Sequence, residues 1–238
     1  MFCKLSEPGS SRKTSTVQGD RFGFSRLVTP EYRCAELENW RIRPNTESME
    51  NKTADFTRLN DQFLVAMPQL QDPTFSQSVT YLCEHNDKGA FGLVINKPMG
   101  VNLSQIFVQL NITPGPNFVD QPVLSGGPVH IEQGFILHKQ PGEWKSSLAM
   151  SDELYLTTSL DILEAVAIGE GPEEYLVTLG CASWSAGQLE EEMAANAWLT
   201  SQASDEVLFQ LPHDARVNAA AQIIGIDLNL LSPEVGHA

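Results

Sequence analysis

Val79-Thr-Tyr-Leu-Cys-Glu-His-Asn-Asp-Lys-Gly-Ala-Phe-Gly-Leu-Val-Ile95 is the stretch that decides the fold. Two runs rich in β-branched and aromatic residues, Val79–Glu84 and Phe91–Ile95, enclose the polar segment His85-Asn-Asp-Lys-Gly89. Five residues ending in glycine suit a hairpin with a bulge or a four-to-five-residue loop. Upstream, Phe63-Leu-Val-Ala-Met67 has the same character. Asn96-Lys97-Pro98 ends the third run, since proline has no N–H to give a ladder.

Past this nucleus the period changes. Asn102 or Ser104 can cap a short helix whose apolar side is Leu103, Ile106, Phe107 and Leu110. Ser159 or Asp161 caps Ile162–Ile168, which Gly169 should stop. Ser185, with Gln188 three residues later, is a capping-box signature for a helix over 186–197. Another helix is expected from about Pro212 to Gly225. Short β-like runs lie between them at Val123–Ser125, Phe135–His138, Leu154–Thr157 and Tyr175–Leu179. There is no internal repeat and no regular βαβ rhythm. The pattern predicts an α+β single domain with a mixed or largely antiparallel sheet and about four helices.

The charge is uneven. The chain has 238 residues and a net charge of −15, with 42% hydrophobic and 19% charged residues. Residues 1–48 carry eight basic and six acidic side chains, whereas 49–238 carry seven against 24, a net of −17. The first part is rich in Ser, Thr, Pro and Arg and has no apolar periodicity, which reads as a basic, disordered extension over 1–55 ahead of a domain over 56–238. Met49 sits at the composition change and is the expected start of translation. A transit peptide is the rival reading, opposed by Glu7, Asp20, Glu31, Glu36 and Glu38. No apolar run is long enough to cross a membrane as a helix. Cysteines at 3, 34, 83 and 181 have neither metal nor redox spacing, so a reducing, cytoplasmic setting is expected.

Common chemical signatures are absent. The sequence holds no GxxxxGK[ST] cradle, no GxGxxG after a strand, no GxSxG elbow and no HExxH helix. His130-Ile-Glu132 lacks the PCxxC partner of a zinc deaminase. No cofactor or metal signature is visible. The acidic core has too few clustered cations for direct nucleic-acid binding, which leaves only the basic extension for that role.

Three segment pairs then carry a resemblance: Val79–His85 with Gly92-Leu-Val-Ile-Asn-Lys-Pro98, Gly126-Gly-Pro-Val129 with Gly134-Phe-Ile-Leu-His138, and Trp184-Ser-Ala-Gly-Gln-Leu-Glu-Glu-Glu192 with Asn196-Ala-Trp198. In this order they closely resemble the AlgH/YqgE family of bacterial proteins, from about Asn60 to the C-terminus, and the ending Gly236-His-Ala238 is similar to proteobacterial members. The resemblance implies a sheet curled into a barrel-like shape and a largely uncharacterised function. Members are often described as transcriptional regulators, after a proposed role in alginate synthesis. One departure is that Ser183 and Ser185 stand where relatives commonly have glycines beside the tryptophan.

The candidate functional residues are Glu84, His85, Asn96, Lys97, Gly126, Gly127, Trp184, Gln188, Glu192 and Asn196. Glu84 and His85 could share a proton or hold a metal; the favoured alternative is a hydrogen-bonded pair that pins the hairpin. Cys83 beside them reads as a buried inert thiol, and Cys181 likewise. Ser125-Gly126-Gly127-Pro128 could present an anion nest, although glycines more often serve turns. His130 and His138 read as surface or structural. Gln188, Glu192 and Asn196 recur every four residues as a polar stripe opposite Leu189 and Met193, either a solvated face or a recognition edge beside Trp184 and Trp198. A regulatory protein that binds an unidentified partner protein or small ligand is the expected function. The alternative is a small-molecule enzyme or ligand-binding protein built on the Glu84/His85 turn and the Gly126-Gly127 loop.

Overall fold

The computed structural model describes residues 59–231; the expected extension over 1–55 and the start at Met49 lie outside them. Ten strands form the sheet: β1 (Gln62–Ala66), β2 (Val79–Asn86), β3 (Gly89–Val94), β4 (Pro98–Asn102), β5 (Pro122–Ser125), β6 (Val129–Lys139), β7 (Ser147–Ala149), β8 (Leu154–Thr157), β9 (Tyr175–Ser185) and β10 (Trp198–Gln202). The α-helices among the described residues are α1 (Leu103–Leu110), α2 (Leu160–Ile168), α3 (Gln188–Ala194) and α4 (Arg216–Gln222), with a π-helical turn, Glu206–Gln210, between β10 and α4. The strand order is β10-β1-β2-β3-β9-β6-β8-β7, and β5 joins β4 to β9. Every pairing is antiparallel except β5 with β9, and the sheet curls into a half-barrel, an α+β single domain as the sequence predicts. No helix among the described residues is long and apolar enough to cross a membrane.

Strand alternation sorts the core onto two faces. Phe63 and Val65 of β1, Tyr81 of β2, Leu93 of β3 and Phe135 of β6 share one cluster with Val207, Leu208 and α4. Their neighbours in sequence point the other way: Leu64, Ala66 and Leu82 pack beneath Leu189 of α3, while Ile136 joins Leu103, Phe107 and Ile162 of α1 and α2. Strands β2 and β3 are therefore buried on both faces, which explains why they read as nearly unbroken apolar runs.

The helix signals hold in detail at two places. Asn102 caps α1 with a full capping box, Gln105 Oε1 accepting the Asn102 N–H at 2.8 Å. Gly169 ends α2 in the left-handed region at φ 81°, its N–H returned to Ala165 and Val166. The expected hairpin with a bulge forms, but its turn is shorter than the five-residue segment. Asn86 pairs with Gly89, so the turn is only Asp87-Lys88, closed by the Lys88 N–H on Asn86 Oδ1 at 2.8 Å. The bulge lies instead inside β2, at Cys83 between Leu82 and Glu84.

Strand β9 is the hub. It runs six residues further than its apolar start suggests and borders β6 on one edge, β3 and β5 on the other. Backbone crowding at that junction requires glycine. A Cβ on Gly126 would sit 2.1 Å from Gly180 O, and one on Gly127, already at φ 149°, 2.3 Å from the Cys181 carbonyl. Gly126→Ala is expected to destabilise the domain by roughly 1–3 kcal/mol through this overpacking. Urea denaturation of the variant beside the parent protein measures it, and an unchanged midpoint would contradict the assigned contact.

Candidate functional site

Glu84 and His85 lie side by side in sequence but turn to different partners. His85 is 2% exposed. Its Nδ1 accepts the Leu59 N–H at 3.3 Å, and its Nε2 lies 2.9 Å from Glu190 Oε1, a pattern that suits the Nε2–H tautomer. The His85 N–H donates to Asn60 Oδ1 at 2.7 Å. Glu84 Oε1 accepts from Asn86 Nδ2 at 2.7 Å, and burial raises the Glu84 carboxyl above its ordinary range against the lowering effects of Asn86 and Lys88. Cys83 is buried, and desolvation pushes its thiol well up, which makes a poor nucleophile. Cys181 is also a buried free thiol. Among the described residues no three His, Cys, Asp or Glu side chains converge in a metal-holding group.

Asn96 and Lys97 clamp the segment that leads into β2. Asn96 Oδ1 accepts the Val79 N–H at 2.9 Å and its Nδ2 donates to Gln77 O at 3.0 Å, while Lys97 Nζ donates to Ser76 O at 2.6 Å. The glycine loop is committed as well. Ser125 N–H donates to Lys97 O at 2.7 Å and Gly126 N–H to Leu179 O at 2.8 Å, so two of the N–H groups that an anion nest would use already have acceptors. The two clefts described for the surface are lined by other residues than Glu84, His85, Gly126 and Gly127.

The third group does converge. Glu192 Oε2 accepts both indole N–H groups, Trp184 Nε1 at 3.0 Å and Trp198 Nε1 at 2.8 Å. Its Oε1 accepts Gln188 Nε2 at 3.0 Å, and Gln188 Oε1 accepts the N–H and hydroxyl of Ser185 at 3.1 and 3.0 Å. Phe75 completes the cluster, 5.9 Å and 5.5 Å from the two indoles. The Ser185–Gln188 bridge exists, but the helix starts two residues later than the capping box suggests, with Gly187 as its cap. It also ends sooner, at Ala194. Asn196 therefore does not extend the stripe: it sits in the left-handed region at φ 58°, leading into β10, and its carbonyl accepts Gln69 Nε2 at 2.8 Å. Ser183 and Ser185 lie within extended β9, where glycine is not needed.

Sequence reasoning missed two things. Glu190 reaches His85 only because β9 and β3 pair, and a contact 105 residues apart leaves no local signal. Arg216 lines a cleft at the opposite end of β9; the signal was a lone cation within the small apolar run Ala215-Arg-Val-Asn-Ala-Ala-Ala221.

Comparison with known proteins follows the same boundaries. A family model described as AlgH-like matches residues 63–229. A UPF0301 protein of Cupriavidus pinatubonensis is 51% identical over 184 residues, 76% of this chain and 95% of that protein. Another, from Thioalkalivibrio sulfidiphilus, is 50% identical over 182 residues, 76% and 98% of the two chains. The solution structure of the AlgH protein from Pseudomonas aeruginosa is 46% identical, covers 79% of this chain and 100% of its own, and superposes with a TM-score of 0.63. Protein DIP2367 from Corynebacterium diphtheriae shares the fold at 18% identity, over 76% of this chain and 93% of its own, with a TM-score of 0.58.

Glu192→Ala strands two indole donors and should cost about 2 kcal/mol, with Glu192→Gln, which keeps one acceptor, costing roughly half as much. Urea unfolding followed by tryptophan emission checks both, and equal stabilities for the two variants would count against the shared carboxylate. Glu84 supplies a pH test. Its carboxyl is raised on folding, so the folded state holds the proton longer and stability falls as pH rises from the unfolded toward the folded value. Glu84→Gln, which still accepts from Asn86, should gain stability relative to the parent at neutral pH and lose that advantage in mild acid; denaturation curves at the two pH values read it directly.

Proposed function

This chain belongs to the AlgH-like family, and from that premise we propose that it is a regulatory protein that works by binding a partner protein or small ligand, without direct contact to DNA. The observation that carries this reading is where its basic side chains are spent. Among the described residues, Lys97 is tied to Ser76 O, Lys139 pairs with Asp205 and with Glu153 at 3.1 Å, and Arg216 is buried. Lys88, in the β2–β3 turn, and Lys145, ahead of β7, are exposed single charges. Duplex recognition draws its affinity from several cations converging on phosphates, and the described residues bring no such group of cations together in a chain of net charge −15.

The same bookkeeping argues against acid–base catalysis by the candidate residues. Glu84, His85, Asn96, Lys97 and Glu192 each hold another part of the chain in place. What supports binding instead is a surface with a cleft and an acidic exterior on a tightly pinned scaffold.

Fluorescence anisotropy of a labelled duplex titrated with the full chain at low and at physiological salt tests the proposal. No saturable rise is expected at either. Binding that weakens steeply with salt, the sign of several phosphate contacts, would overturn the reading and direct attention to the basic 1–48 segment.

A further inference from the structure

A cleft of about 360 Å³ opens between the start of β5, the start of β9 and the segment that leads into α4. Leu124, Leu176 and Phe209 give it apolar walls, and His213 and Arg216 are among its polar lining residues. Such a volume suits a small organic molecule.

Arg216 is the unusual member. It is 8% exposed, with Nε donating to Leu211 O at 3.1 Å and Nη1 to Ile95 O at 2.6 Å. Those two neutral carbonyls fix the plane of the guanidinium without balancing its charge. No carboxylate among the described residues pairs with it, and Nη2 has no acceptor there, although the chain carries 30 acidic residues. A buried cation without a counter-charge is costly, and a merely structural clamp on two carbonyls could have been made by a neutral donor. Burial lowers the group only to about 10, so it stays charged at neutral pH.

The rim limits what can enter. Glu173 and Glu174 line the same cleft and would repel a multiply charged anion. We propose that this cleft binds a small organic monocarboxylate, its carboxylate on the Nη edge of Arg216 and its apolar part against Leu124, Leu176 and Phe209. The assignment deepens the binding reading above and rests on it, naming the class of ligand.

The test is nuclear magnetic resonance of the full chain with arginine side-chain nitrogen labelled, titrated separately with phenylacetate, 2-phenylethylamine and phenyl phosphate. Phenylacetate should shift the Arg216 Nε resonance saturably, with a Kd on the order of 1 mM for so small a probe. The amine should not, and phenyl phosphate should bind at least about tenfold more weakly because of the glutamate rim. Arg216→Gln should abolish the saturation-transfer signal of phenylacetate itself, but it also touches the Ile95 and Leu211 carbonyls. Glu173→Gln, on the exposed rim, is therefore the second variant, expected to tighten phenyl phosphate relative to the parent by roughly three- to tenfold with unchanged thermal unfolding. No saturable shift with phenylacetate, an equal response to the amine, or tighter binding of phenyl phosphate would each overturn the assignment. Such a failure together with absent DNA binding would remove the ligand class alone, whereas salt-dependent DNA binding would remove the broader reading.

Discussion

Two backbones pressed together at Gly126-Gly127 and Leu179-Gly180-Cys181 set the rest of the architecture. Because neither glycine carries a Cβ, the chain leaving β5 can lie against β9 close enough for Gly126 N–H to reach Leu179 O and Val94 N–H to reach Gly126 O. One strand then serves three neighbours. Its first half holds β6 and β5 beneath α1 and α2, and its second half holds β3. Only because β9 is held this far along does α3 begin at a point where Glu190 meets His85 and Glu192 falls between two indoles.

The pieces that could be read in the sequence are those whose cause is local. Asn102 with Gln105, the stop at Gly169 and the doubly buried runs of β2 and β3 each follow from a few adjacent residues. The β2–β3 hairpin and its bulge also follow from the sequence, but not the bulge's place, which lies at Cys83 inside the strand rather than at the turn. Asn196 was misplaced because its four-residue spacing from Glu192 persists past the point where pairing of β10 with β1 ends the helix.

For the candidate site, residue type was a good guide to position and a poor guide to role. Glu84, His85, Asn96, Lys97 and Glu192 are polar groups at partly or fully buried places, and burial obliges such groups to find partners. They found them within the fold, mostly across long sequence separations that no motif records. Arg216 went unnoticed because a single arginine in a helix is ordinary on a surface; only its depth, and the carbonyls that hold it, set it apart.

The closure of β1 by β10 also bears on how the chain comes off the ribosome. Gln62 pairs with Gln202, about 140 residues later, which at common translation rates is a delay on the order of ten seconds. Until β10 is made the outer edge of β1, and until β9 is made the outer edge of β3, have no strand to pair with, and the residues of β1, β2 and β3 that end up buried have no cover. High contact order of this kind makes folding slow and leaves the nascent sheet dependent on whatever shields it.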